Sequence, residues 1–113
     1  MNRIKRPDKD KPRVYISGKI LGDKRYRRKF RKAERKLRKQ GYAVVNPARV
    51  SDSLPSEFLR DEYMTIDFAA VGICDTIYML PDWTDSKGAV IEWRKAVKEG
   101  KTIIYEQEDM TNG

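Results

Sequence analysis

Glu92 has the clearest claim to chemistry in this chain. It stands four positions beyond Gly88 and six beyond Ser86 in the run Ser86-Lys87-Gly88-Ala89-Val90-Ile91-Glu92. On a helix, Gly88 would remove the side chain one turn before the carboxylate, so a ligand can approach the acid from that side. Ser86 and Gly88 would then sit on the first turns, where free backbone N–H groups attract anions. The same spacing admits a plainer reading, in which Glu92 is solvated or pairs along a wet face with cations between Arg94 and Lys98, and Gly88 serves only helix-to-sheet packing. The composition narrows the chemistry: there is no histidine and one cysteine. A zinc site is therefore not expected, and any general acid or base has to be Asp, Glu, Lys, Tyr or Cys. Cys74 lies among apolar residues and reads as a small core residue rather than a reactive thiol.

The elements that must position these residues follow from hydrophobic spacing. An apolar run over 76–80 follows Asp75 and stops at Pro81, as a buried strand does when a proline removes the next donor. Ala89, Val90, Trp93, Ala96 and Val97 recur at helical spacing up to Gly100, with Thr84 or Asp85 as N-cap. A second strand, 13–18, ends in Ser17-Gly18 and leads through Lys19 to Gly22, a glycine-flanked turn in which backbone N–H groups can hold a phosphate. Tyr26, Phe30, Ala33 and Leu37 form one stripe on a helix expected over 23–40, which Gly41 ends. A strand over 42–45 is closed by Asn46-Pro47-Ala48, and 51–55 reads as a loop. Leu59, Tyr63, Ile66 and Ala70 mark a helix over 56–74, with Asp67 beside that stripe at a depth the spacing does not fix. The last strand is 102–105.

This βαβαβαβ order predicts a single α/β domain of Rossmann or flavodoxin-like type, with a parallel sheet of four or five strands, helices on both faces and strand order 2-1-3-4. The switch point then falls between the first and third strands, so that 15–22 faces 81–92 and acids and a glycine turn converge on one sheet edge. Residues 1–12 read as a flexible basic arm, 13–106 as the domain and 107–113 as a polar tail.

A chain of 113 residues has room for one core. No apolar run approaches eighteen residues and the first residues lack a hydrophobic signal segment, so a cytoplasmic protein with no membrane partner is expected. Residues 1–50 hold 19 Lys and Arg against 4 Asp and Glu, whereas 51–113 hold 6 against 13. Between Lys24 and Lys39 there are eleven basic residues and one acid, Glu34. Like charges four apart on that helix oppose it by about 0.2–0.5 kcal/mol per pair. Two readings stay open: a surface for non-specific nucleic acid or another polyanion, or a solvated face that aids solubility.

The segments VYISGKILG, GYAVVNPA and DEYMTIDFAAVGICDTIYMLPDW, followed by SKGAVIEW, occur in that order. In this they resemble a small uncharacterised phage and bacterial family related to the nucleoside 2-deoxyribosyltransferases and the 2'-deoxynucleoside 5'-phosphate N-hydrolases. The resemblance covers roughly 13–105. It implies cleavage of the N-glycosidic bond of a deoxynucleotide, or deoxyribosyl transfer between bases, through a covalent glycosyl ester on Glu92. It further implies Asp67 as the acid/base and Tyr15 beside the nucleophile, with no cofactor. Ser86 through Glu92 matches the hydrolases' Ser-x-Gly-x-x-x-Glu pattern, which favours a nucleotide over a nucleoside. Gly18 and Gly22 align with their phosphate turn, whose arginine falls at Leu21 here, leaving Lys19 or Lys87 to substitute. Ser17, Gly18, Lys19, Gly22, Ser86, Lys87 and Gly88 are thus expected around substrate and phosphate, and Asn46 and Trp83 around the base. Because the related enzymes complete their sites across subunits, a homodimer or tetramer is expected. The alternative is a non-catalytic nucleotide-sensing or nucleic-acid-binding module that uses the basic first helix.

Overall fold

The structure, a computed structural model, describes residues 11–107. Most of the expected basic arm (1–10) and polar tail (108–113) lies outside the described residues. Four strands, β1 (Arg13–Ser17), β2 (Ala43–Val45), β3 (Thr76–Met79) and β4 (Thr102–Tyr105), form one sheet in the order β2-β1-β3-β4. Every neighbouring pair is parallel, as the sequence predicts. The helices are α1 (Tyr26–Lys39), α2 (Pro47–Asp52), α3 (Arg60–Ile73) and α4 (Lys87–Lys98), with a single 3-10 turn at Trp83–Asp85.

Alternation along β1 and β3 sorts the core into two layers. Val14, Ile16, Tyr78 and Leu80 pack against Phe30, Ala33 and Leu37 of α1 and Ala48 of α2. Tyr15, Ile77 and Met79 pack on the opposite face against Val71 of α3, Cys74 and Ala96 of α4. The central strands are apolar on both sides because helices cover both faces.

Several boundaries differ from the sequence expectations, each for a local reason. The stretch after β2 begins with a helix, α2, rather than a loop. Asn46 accepts a hydrogen bond from the Ala48 N–H and Pro47 occupies the first turn. That combination of an Asn cap and an N-terminal proline starts helices. On α3 the buried positions are Asp67 and Val71, whereas Leu59 is 65% exposed just before the helix. The inward stripe is therefore rotated from the one drawn through Leu59 and Ile66, and it carries Asp67 with it. Neither Thr84 nor Asp85 caps α4; both lie in the 3-10 turn, and Ser86 Oγ accepts the Ala89 N–H. Val97, counted in the apolar repeat, is exposed.

Gly18 shows how closely β1 and β3 approach just past their ends. A Cβ there would lie 2.7 Å from Leu80 Cδ1 and 2.9 Å from Leu80 Cβ. At Gly88 the nearest atom to such a Cβ is Met64 Sδ at 3.5 Å, an ordinary contact. Gly18→Ala is therefore expected to destabilise the fold by about 1–3 kcal/mol through overpacking. Gly88→Ala should leave stability unchanged or raise it by up to about 1 kcal/mol through helix propensity. Thermal melts of the two variants check the contrast.

Candidate functional site

At the carboxyl ends of β1 and β3 the structure opens a cavity of about 600 Å³. Its walls come from the β1–α1 turn (Gly18, Ile20, Leu21), Tyr26 of α1, Pro47, Ser51 and Asp52 of α2, the inward face of α3, and the start of α4. This is the switch point, where β1 connects to a helix on one face and β3 to a helix on the other, and where open α/β sheets bind ligands.

Glu92 projects from α4 into this cavity and is only 5% exposed. Tyr15 and Ser17, two apart on β1, point to the same face of the sheet and meet it there. The Tyr15 hydroxyl donates to Glu92 Oε2 at 2.9 Å and the Ser17 hydroxyl to Glu92 Oε1 at 2.7 Å. Each carboxylate oxygen is thus held by a hydroxyl from a rigid central strand. The Ser17 hydroxyl is thus engaged by the acid, and Ser17 is fully buried behind the cavity wall. Asp67 of α3, also buried, lines the same cavity.

The electrostatics follow from this burial. Loss of water raises Glu92 from its ordinary value of 4.5 to about 7, assisted by the negative charge of Asp67, while the Ser17 and Tyr15 hydrogen bonds pull the other way. Burial raises Asp67 to about 6. Burial, the charges of Glu92 and Asp67 and the hydrogen bond to Glu92 push the Tyr15 phenol well above its usual range, so it stays a donor. Glu34, the other buried glutamate, is a control within the same molecule. Burial pushes it up too, but hydrogen bonds from Asn46 and Arg38 and the charge and hydrogen bond of Arg49 hold it below the usual range. Glu34 is a neutralised structural carboxylate. Glu92 has hydroxyls for partners and no cation among the described residues.

The remaining expected site residues separate into two groups. Gly18, Ser86, Lys87 and Gly88 line the cavity with Glu92 and Asp67. Gly22, at φ +81°, shapes the turn without lining the cavity, and Lys19 gives its backbone N–H to Asp82 Oδ1 at 3.1 Å. Asn46 caps α2 and donates to Glu34 Oε1 at 3.0 Å, so both ends of its amide are engaged away from the cavity. Trp83 stacks on Trp93 with ring centroids 5.2 Å apart, also outside the cavity. Asn46 and Trp83 are therefore not brought to the base-pocket positions expected of them.

Two groups of lining residues were not anticipated. Tyr26, Tyr63, Met64 and Leu21 supply an apolar and aromatic wall. Arg60, at the start of α3, places a guanidinium nitrogen 3.7 Å from where a Gly88 Cβ would be, above the first turn of α4. It forms no ion pair among the described residues. A cation beside a helix N-terminus and a capping serine is an anion-accepting arrangement. The signal that finds Arg60 is its position at the N-terminus of a helix that itself flanks the switch point, not any spacing from Glu92.

Fold and site together define a parallel α/β protein with two buried carboxylates, Asp67 and Glu92, in a cavity at the switch point of its sheet. The family model described as a domain of unknown function (DUF4406) matches residues 12–105, and the chain belongs to that family. Neither a curated protein nor a solved structure matches the chain.

Keeping Glu92 buried without a cation opposes folding once the acid ionises. Between about pH 4.5 and 7 the folded chain retains a proton on Glu92 that the unfolded chain has released, so stability falls as pH rises through that window. Its full size is about 3 kcal/mol, at 1.36 kcal/mol per pH unit. Glu92→Gln keeps the shape without the charge. The variant should be more stable than the parent at pH 8 by about 1–3 kcal/mol and nearly equal to it near pH 4, as chemical denaturation at the two values would read out.

Proposed function

We propose that the protein cleaves the N-glycosidic bond of a 2'-deoxynucleoside 5'-monophosphate, or passes its deoxyribosyl group to another base, with Glu92 as nucleophile. The observation that carries this reading is the Glu92 carboxylate, buried at the cavity wall with one oxygen held by Tyr15 and the other by Ser17. A glycosidase makes direct use of such a group: an oxocarbenium-like transition state needs a fixed carboxylate facing C1' and little water near it.

In the first step a Glu92 oxygen bonds to C1' and the C1'–N bond breaks, its electron pair leaving with the base. Asp67 supplies the proton that neutralises the departing nitrogen. In the second step Asp67 takes a proton from water, or from an acceptor base, which attacks C1' and releases Glu92. Retention at C1' follows from the two displacements. The pair needs one proton between them, on Asp67, with Glu92 ionised. The two acids titrate as a pair, and positive charge developing on the sugar beside Glu92 favours its ionised form with the proton on Asp67. The resemblance to the deoxynucleotide N-hydrolases and the nucleoside 2-deoxyribosyltransferases supports the same assignment of Glu92, Asp67 and Tyr15. On this reading the 5'-phosphate binds one turn before Glu92, against the α4 N-terminus with Ser86, Lys87 and Gly88. Arg60 takes the part that the resemblance gives to an arginine at Leu21. The Ser86 oxygen already accepts the Ala89 N–H, which leaves its proton for the phosphate.

Incubation with a panel of deoxynucleosides and their 5'-monophosphates, followed by chromatography for free base, tests the activity. Glu92→Gln should lower base release at least about 10³-fold with the fold intact, and an unchanged rate removes the assignment. The pH profile of kcat/KM should peak between about 6 and 7. Below that window both carboxyls hold protons and the nucleophile is lost; above it neither does and the acid is lost. Arg60→Gln should raise KM for a monophosphate about tenfold or more and leave the matching nucleoside unaffected.

A further inference from the structure

The cations of α1 are divided by the fold into two sets. Those on the flanks of the helix are engaged by the rest of the protein. Arg27 pairs with Asp52, Lys29 with Asp23 and Asp82, and Arg38 with Glu34, while Lys36 donates to the Tyr78 hydroxyl. The residues turned furthest from the buried Phe30, Ala33 and Leu37 are Arg28, Lys32, Arg35 and Lys39, with Arg31 beside them. All five are exposed, and none has an ion pair or side-chain hydrogen bond among the described residues. They form a straight stripe of positive charge about 16 Å long at 1.5 Å per residue. Arg28 and Lys32, Arg31 and Arg35, and Arg35 and Lys39 are like-charge pairs four apart, each of which opposes the helix.

We infer that this outward stripe of α1 binds the phosphate backbone of a nucleic-acid duplex without reading its sequence. The charge has no ion-pair partner among the described residues, and its regular spacing along a rod matches a regularly charged polymer. The helix's aromatic residues, Tyr26 and Phe30, lie on the inward side, so the stripe offers no platform on which unpaired bases would stack, which favours a duplex over a single strand. An anionic membrane is the weaker match. Among the described residues the large exposed apolar side chains, Leu21, Phe58, Leu59, Ile73, Ile91, Val97 and Tyr105, all lie off α1, so the helix itself carries no outward apolar group to enter a bilayer. The surface is separate from Glu92, and its function does not depend on the activity proposed for the cavity.

The test is fluorescence anisotropy of labelled DNA and RNA duplexes of about 25 base pairs with the full chain, across roughly 50–300 mM salt. Lys32→Gln with Arg35→Gln should weaken binding at least about tenfold at low salt and flatten the log–log salt slope by about 2, at roughly 0.9 for each phosphate that is no longer neutralised. Both changes remove like-charge repulsion, so the variant should melt no lower than the parent. A matched pair, Arg94→Gln with Lys98→Gln on α4, removes the same net charge and should leave affinity and slope close to the parent's. Binding of either duplex with this site dependence supports the inference. Equal losses in both pairs, no duplex binding by the parent at about 50 mM salt, or binding to phosphatidylserine vesicles but to neither duplex would overturn it.

Discussion

The geometry of the site depends on two hydroxyls holding one carboxylate in a place without water. Tyr15 and Ser17 can do this because they stand two apart on β1, a strand paired on both sides and buried on both faces. A carboxylate free to change rotamer on a surface helix loses that entropy when it is fixed in one orientation. Glu92 has both oxygens fixed from the sheet, so its orientation is set by the most rigid part of the fold. The hydroxyls also determine its charge behaviour. They are neutral donors, which solvate the anion without cancelling it, whereas the arginines on Glu34 cancel theirs. Two buried glutamates in one small domain thus have opposite titration behaviour, set by the partners of each together with the fuller desolvation of Glu92.

The surrounding topology turns that carboxylate into a site. Order 2-1-3-4 places β1 and β3 side by side, with α1 over one face and α3 and α4 over the other. The chain leaves the two strands in different directions, and the gap between their exits is the cavity. Gly18 lets the exits lie close, because the space a side chain would take there is occupied by Leu80. Asp82 ties the same loops together through the Lys19 N–H and Lys29. The rim is therefore braced by polar contacts, while the cavity itself keeps a carboxyl pair and Arg60, which has no ion pair among the described residues.

Much of this was legible in the residues themselves. Apolar runs bounded by proline and glycine located all four strands to within a residue or two, and their alternation with helices predicted the parallel sheet and its order. Glu92 was legible because Gly88 and Ser86 precede it at helical spacing. Asp67 was only half legible: its helix was clear, but the apolar residues along it pointed to a stripe through Ile66, while the helix packs through Asp67 and Val71. An acid on the buried face breaks the pattern that hydrophobic spacing detects, so Asp67 obscured its own depth. Asn46 and Trp83 came from resemblance to a motif order, which carries no information on side-chain direction. Asn46 is engaged by a helix cap and by Glu34, and Trp83 by stacking on Trp93. Arg60 meets the site across more than twenty residues of intervening sequence, and no local pattern encodes such a meeting.

The central claim is that Glu92 forms a bond to the sugar, and intact-protein mass spectrometry after rapid acid quench of a deoxynucleotide reaction addresses it directly. The predicted result is a transient species heavier than the protein by the substrate less its free base, with the added mass mapped by peptide digestion to Glu92 and absent from Glu92→Gln. Base release in full amount without such a species, or with the added mass on another residue, would contradict it.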